Sequence, residues 1–286
     1  MPETQEIVEE PKIDKRNQLN DLTAKEWIQE TKSFFFQKGL GANSPEAKYE
    51  KMHPAPFSFT DITKLVRFFT KEGGKVLDPF LGVGSTIKAC LETNREGFGV
   101  ELSPEWCEVT RQRLSEESNY EIDDEHLICG DSRNLKQYFK KDFFDFIITS
   151  PPYWNILEKK DHKANERALN GHATKYSEND FDLGNIEDYN QFLDELSSIF
   201  LNCYDILKPG KYMNIIVSDF RHRSEFVAFH ADLINKLTNK KLKKHFDLKG
   251  MKILVQNAKK LYPYGYPFCY VENIHHQYIL ILQKSK

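Results

Sequence analysis

No apolar run in this chain approaches the roughly 18 residues needed to cross a bilayer, so no membrane partner is expected. The start, Met-Pro-Glu-Thr-Gln-Glu, has neither a basic region nor an apolar core and does not read as a signal peptide. Five cysteines (Cys90, Cys107, Cys129, Cys203, Cys269) stand singly. That pattern gives neither a disulfide framework nor a zinc spacing, and it predicts a reducing, cytoplasmic setting. The nine histidines form no metal-ligand pattern, and His275-His276 reads as the start of a strand; no metal is expected. Internal repeats are absent, as is low-complexity sequence beyond one lysine-rich run.

What remains is an ordinary globular composition. The 286 residues, 40% hydrophobic and 29% charged, suffice for one large α/β domain or two small ones. The net charge of −3 is unevenly spread. Residues 1–30 hold eight acids and four bases, which leaves the remainder close to neutral. Residues 1–20 read as a flexible acidic lead, and 21–286 as a single domain. Between Lys236 and Lys260 nine lysines face one acid, Asp247, a run that suits either a solvated face or phosphate contacts.

The spacing of Leu22, Trp27, Ile28, Thr31, Phe34 and Phe35 predicts a docking helix over 22–36. Thr60 is placed to cap a second helix, with Ile62, Leu65, Val66 and Phe69 on one face, closed by Gly73-Gly74. Strands then alternate with helices. Lys75–Asp78 precedes a helix from Ser85, and 97–100 precedes one from Pro104, capped by Ser103. The strand 126–129 precedes a helix after Asp131, and Phe144–Thr149 follows. Beyond the polar stretch 155–186 come a long helix over about 187–207, a turn at Pro209-Gly210 and a strand over 212–217. A helix from about Ser224 and strands near 252–256 and 277–283 complete the chain. This is an α/β fold: a doubly wound, mostly parallel, Rossmann-like sheet with an antiparallel hairpin at one edge.

Ligands of such sheets bind outside the carboxyl ends of the strands, where three polar signals sit. Asp78-Pro79-Phe80-Leu81-Gly82-Val83-Gly84-Ser85-Thr86 combines close backbone approach with the free N–H groups of a helix start. Gly82-x-Gly84 alone is equally a tight turn. Glu101, before Leu102, can accept both hydroxyls of a ribose. Asp131, before Ser132, is placed to meet a third part of the ligand, such as an adenine amine. A nicotinamide dinucleotide site would want a third glycine where Ile87 stands. It would also lack a carboxylate at the strand tip, because Asp78 repels a pyrophosphate and suits an ammonium-bearing nucleoside.

The fourth signal is Ser150-Pro151-Pro152-Tyr153 at the end of an apolar strand. Two prolines cannot donate to a sheet ladder, so the strand stops there with its carbonyls held in set directions. These motifs together resemble the amino-methylating DNA methyltransferases, with cofactor motifs preceding Ser-Pro-Pro-Tyr as in the γ-type arrangement. His53-Pro-Ala-Pro-Phe57 is similar to the segment beside the methionine end of the cofactor. Tyr262-Pro-Tyr-Gly-Tyr-Pro is similar to the start of the last hairpin; the likeness covers about residues 50–286.

The resemblance implies S-adenosyl-L-methionine as cofactor, held by Asp78, Phe80, Gly82, Gly84, Ser85, Thr86, Glu101, Leu102, Asp131 and Ser132. It implies transfer of methyl to an exocyclic amine in double-stranded DNA, at a base flipped into the pocket. Ser150 and the Pro151 carbonyl would accept the amine hydrogens, Pro152 would fix the turn and Tyr153 would stack on the base. Trp154 suits core packing and base contact equally. Serine at 150 leans toward cytosine N4, since adenine N6 enzymes more often carry Asp or Asn there. Segments 155–186 and 236–262 are the expected DNA-contacting inserts, and Arg221 to Arg223 suit the DNA backbone or surface ion pairs. A cognate restriction endonuclease is a candidate partner. An RNA methyltransferase and a silent DNA-binding scaffold are the rival readings, and the intact motifs weigh against the second.

Overall fold

The computed structural model describes residues 12–37, 47–52, 58–154, 181–223 and 225–285. Its strands are β1 (Phe34–Phe36), β2 (Lys75–Asp78), β3 (Glu96–Glu101), β4 (Leu127–Cys129), β5 (Phe144–Thr149), β6 (Leu207–Val217), β7 (Phe220–His222), β8 (Glu225–Val227), β9 (Asp247–Val255) and β10 (His276–Gln283). Its helices are α1 (Ala24–Glu30), α2 (Ala47–Met52), α3 (Phe59–Phe69), α4 (Ser85–Leu91), α5 (Pro104–Ser118), α6 (Leu135–Tyr138), α7 (Tyr189–Ile206) and α8 (Phe229–Leu237).

Eight strands form one sheet in the order β1-β9-β10-β6-β5-β2-β3-β4, and β7 and β8 form a separate hairpin. Strands β4, β3, β2, β5 and β6 run parallel; β10 is antiparallel to both β6 and β9. The chain steps outward from β2 to β4 and then returns to β5 on the other side of β2. That reversal opens a crevice at the carboxyl ends of β2 and β5, where Asp78 and Thr149 stand.

Period-two alternation along β5 divides the core. Phe146 and Ile148 face Ile62, Leu65, Val66 and Phe69 of α3. Ile147 faces the other way, toward Leu196, Ile199 and Phe200 of α7 and Phe229 and Leu233 of α8. Helix α5 begins as expected, with the Ser103 side chain accepting from Trp106 N and Pro104 in the first turn.

Several local expectations change. The helix expected over 22–36 stops at Glu30, and Phe34–Phe36 pair in parallel with Ile253–Val255 as an edge strand. Three consecutive phenylalanines favour extended backbone, and β9 offers them an open edge. They cover the outer side of the expected hairpin. Ser58, not Thr60, stands at the N-cap of α3, with its hydroxyl 3.0 Å from that of Thr60. Pro209-Gly210 does not break the chain into a turn; β6 runs through it, with Gly210 at φ +74°. The last helix starts at Phe229 because the β7–β8 hairpin precedes it. The cysteines are not all single: Cys107 of α5 and Cys129 of β4 form a disulfide, their Cα atoms 6.1 Å apart. Residues 22 apart meet there because α5 packs back along the sheet from β3 to β4.

Phe146 is fully buried, and its ring stacks on Phe69 at 5.2 Å. Phe146→Ala should cost about 3–5 kcal/mol of unfolding free energy, read as a lower urea midpoint at unchanged slope.

Candidate functional site

Asp78 ends β2 and is 2% exposed. Its Oδ1 accepts from Thr149 Oγ1 at 2.6 Å and Phe80 N at 3.0 Å, and its Oδ2 accepts from Thr86 Oγ1 at 2.6 Å. Burial pushes its pKa up to about 6, and these three donors hold it from rising further. One side chain thus joins β2, β5 and the first turn of α4.

The glycine turn follows. Gly82 takes φ +59°, and its N–H donates to Glu101 Oε2 at 2.8 Å. Gly84 caps α4 at φ +78°, where a Cβ would come within 2.7 Å of the Thr110 methyl. Thr110 in turn donates to Gly82 O at 3.0 Å. Arg113, one turn further along α5 and fully buried, donates to Val83 O at 3.0 Å and Ser85 Oγ at 2.9 Å. Its guanidinium is held by Glu117 at 3.0 Å. The sequence reading missed Arg113. The signal was its place on the same helical face as Trp106 and Thr110, all three of them buried.

Glu101 receives a second N–H, from Ser103 at 2.9 Å. Burial outweighs both donors and raises its pKa to about 7. Asp131 caps a short turn and takes Arg133 N at 2.8 Å and Arg133 Nη1 at 2.9 Å, so both of its oxygens already carry a donor. Arg133 continues to the Phe181 carbonyl at 2.9 Å and to Glu195 at 3.3 Å. The Ser132 hydroxyl donates to the Pro79 carbonyl, tying the third motif to the first.

These elements enclose a cavity at the switch point. Of the residues singled out from sequence, Phe80, Gly82, Glu101, Leu102, Asp131, Ser132, Ser150 and Pro152 line it. Trp106, Arg133, Asp182 and Leu183 line it as well and were not foreseen. Asp78, Gly84, Ser85 and Thr86 stand behind the lining, where they shape the turn. Pro151 and Tyr153 are buried.

The Tyr153 hydroxyl accepts from Ser218 N at 2.9 Å and from Gln277 Nε2 at 3.3 Å, and its ring lies 6.1 Å from that of Phe229. The ring expected to stack on a base is 6% exposed, and stacking would require it to leave this packing. Trp154 is core: its Nε1 donates to Ile186 O at 2.7 Å, and Tyr189 and His222 pack against the indole. Arg221 lies over the Phe226 ring. His53 to Phe57 and 155–180 lie outside the described residues.

The lysine-rich run is divided by topology. Strand β9 runs parallel to β5 and β6, so Lys240 to Lys244 precede it, and Lys249 stands near its start, at the amino end of the sheet. Lys259 and Lys260 follow it at the carboxyl end, with Ser150. Lys236 pairs with Asp194, Lys244 with Asp205 at 2.6 Å and Lys249 with Asp247 at 3.3 Å.

The switch-point cavity, with its carboxylates and proline loop, belongs to the class of α/β proteins that bind a nucleotide-like ligand at the strand ends. The chain is a member of the N6/N4-type DNA methylase family, whose model matches residues 3–112 and 144–286. It is 29% identical over 131 residues to the Type II methyltransferase M.HpaI of Haemophilus parainfluenzae, covering 45% of this chain and 40% of that protein. It is 30% identical over 114 residues to the Type II methyltransferase M.BglII of Bacillus subtilis, covering 40% of this chain and 29% of that protein. The matches thus span less than half the length of either relative. A solved putative DNA modification methylase of Thermus thermophilus, complexed with S-adenosyl-L-methionine, is 27% identical with a TM-score of 0.37. That match covers 55% of this chain and 54% of that one.

Because Asp78 titrates above the usual carboxylate range, the folded protein binds the extra proton between about pH 4 and 6. Its ionisation therefore lowers stability as pH rises through that window. Thr149→Val removes a donor to the ionised form and should cost about 1–3 kcal/mol by urea unfolding at pH 8. The loss should be smaller at pH 5, where Asp78 is largely neutral in the folded protein.

Proposed function

We propose that this protein transfers a methyl group from S-adenosyl-L-methionine to the exocyclic amine of a base flipped out of duplex DNA, cytosine N4 rather than adenine N6. The observation that carries the reading is one cavity lined by both Glu101 and Ser150, the nucleoside end and the amine end of such a reaction. Family membership supports the chemistry, and the serine at 150 supports the choice of base.

The residues fit the cofactor. Glu101 presents a carboxylate to the cavity, able to take the two ribose hydroxyls. Leu102 and Trp106 offer apolar surface to the adenine, with Asp131 and Ser132 at its polar edge. Gly82 lets the backbone approach. Asp78, Gly84, Ser85 and Thr86 act by holding the turn, since they stand behind the cavity lining. When bound, S-adenosyl-L-methionine supplies an electrophilic sulfonium methyl.

An exocyclic base amine is a weak nucleophile because its lone pair is delocalised into the ring. Ser150 Oγ and the Pro151 carbonyl accept its two hydrogens, pulling the nitrogen toward a tetrahedral shape and freeing the lone pair. Pro152 stiffens the turn. Tyr153, anchored through its hydroxyl, fixes where the two acceptors point. No covalent enzyme intermediate is needed, and no Pro-Cys pair of the kind used for ring-carbon methylation occurs in the chain. The DNA is double-stranded, the setting the cytoplasm and nucleoid, and a cognate restriction endonuclease is the proposed functional partner.

Unmethylated duplex DNA incubated with the protein and methyl-labelled S-adenosyl-L-methionine should yield N4-methylcytosine on nucleoside mass spectrometry. N6-methyladenine instead would reverse the choice of base, and label in RNA alone would overturn the reading. Glu101 should accept the ribose hydroxyls best when ionised, so cofactor affinity should weaken as pH falls through about 7. Glu101→Gln should bind about tenfold more weakly with a flat pH profile, as calorimetric titration between about pH 6 and 8 would read.

A further inference from the structure

The segment between β9 and β10 exposes aromatic surface with no role in the core. Tyr266 is 80% exposed, Phe268 91% and Tyr270 84%, and Leu261 beside them is 74% exposed. Single exposed apolar residues are ordinary, but with Tyr264, 47% exposed, five large ones within ten residues form a patch of the kind that marks an interaction site.

The segment is nonetheless well built. Asn273 closes its base, donating to Tyr262 O at 2.8 Å and accepting from Tyr262 N at 3.0 Å. Within it, Phe268 N and Cys269 N donate to Gly265 O at 2.7 and 2.8 Å. Gly265 is at φ +74°, and a Cβ there would come within 2.3 Å of the Cys269 carbonyl. These bonds pair backbone groups within the loop while its rings stay exposed.

Its position ties it to the reacting end of the cavity. His276 O accepts from Ser218 Oγ at 3.3 Å, and Gln277 Nε2 donates to the Tyr153 hydroxyl at 3.3 Å. The loop therefore rises from the carboxyl edge of the sheet, on a stem bonded directly to the tyrosine of the Ser-Pro-Pro-Tyr loop. Charge over 256–276 favours a polyanion: Lys259, Lys260 and two histidines against the single acid Glu272.

We propose that loop 261–270 is the element that opens the duplex. Tyr266, Phe268 and Tyr270 stack on the orphaned partner base and on the neighbouring base faces that extrusion uncovers, and Lys259 and Lys260 hold the adjoining phosphates. This role rests on the DNA methyltransferase reading and adds to it the surface that holds the opened site. Duplex DNA is the occupant because extrusion creates unstacked faces only there, next to the pocket that receives the base. Every base has such a face, so the contact is independent of sequence.

The test compares the full-length protein with Tyr266→Ser/Phe268→Ser/Tyr270→Ser, whose changes are all at exposed rings. Both would be assayed for S-adenosyl-L-methionine binding by calorimetry. Both would also be assayed for methyl transfer to enzymatically amplified, hence unmethylated, genomic DNA, as duplex and as heat-denatured single strands. The variant should bind cofactor within about twofold of wild type and lose about tenfold or more of its duplex rate, with a far smaller loss on single strands. The aromatic-retaining variant Tyr266→Phe/Phe268→Tyr/Tyr270→Phe should keep the duplex rate. A triple-serine variant with an unchanged duplex rate overturns the loop's role, as does an equal loss on duplex and single strands. Wild-type protein that methylates RNA but no DNA overturns the methyltransferase reading itself, and the loop's role with it.

Discussion

The buried carboxylate of Asp78 is the point on which the site turns. Desolvation makes its ionised form costly, and only three internal donors, from Thr149, Thr86 and Phe80, keep it near the physiological range. Those donors come from the strand that carries the proline loop, from the helix behind the glycine turn and from the turn itself. A single desolvated group therefore sets the relative position of the nucleoside end and the amine end of the cavity. The low dielectric that makes an unpaired carboxylate expensive is what makes this one an effective clasp.

A second set of buried charges braces the turn from behind. Arg113 grips Val83 O and Ser85 while sharing Glu117 with Lys88, itself 2% exposed. Glu50, 3.5 Å from the Arg113 guanidinium, adds a second carboxylate, and the guanidinium also satisfies a carbonyl and a hydroxyl of the glycine turn. The turn is shaped from both sides, by Asp78 within and Arg113 without, and Gly84 is needed because Thr110 of α5 comes so close. The Cys107–Cys129 disulfide ties the same helix to the end of β4, two residues before Asp131.

Much of the fold was legible. The β2, β4 and β5 patterns, the Ser103-Pro104 helix start and the parallel order follow from local chemistry: apolar runs of strand length, a capping side chain, proline at a first turn. Where reading failed, long-range partners decided. Phe34 to Phe36 fit a helical spacing, but an open edge on β9 made them a strand. Thr60 is as good a cap by composition as Ser58, yet the helix begins at Phe59 with Ser58 at its N-cap. Single cysteines 22 apart carry no sign that two strands and a helix bring them together.

The same division holds at the site. By itself the sequence determined which residue types stand at the strand ends, because the motifs there are contiguous and their chemistry is local. Tertiary structure alone decided which of them face the cavity. Glu101 and Ser150 do, whereas Asp78 and Thr86 satisfy each other behind it and Tyr153 spends its hydroxyl on Ser218 and Gln277. It also decided which lysines share an edge with Ser150, through the direction in which β9 runs. The physical reason is that a polar group's role depends on which partner reaches it first. In a doubly wound sheet those partners come from strands and helices tens of residues apart.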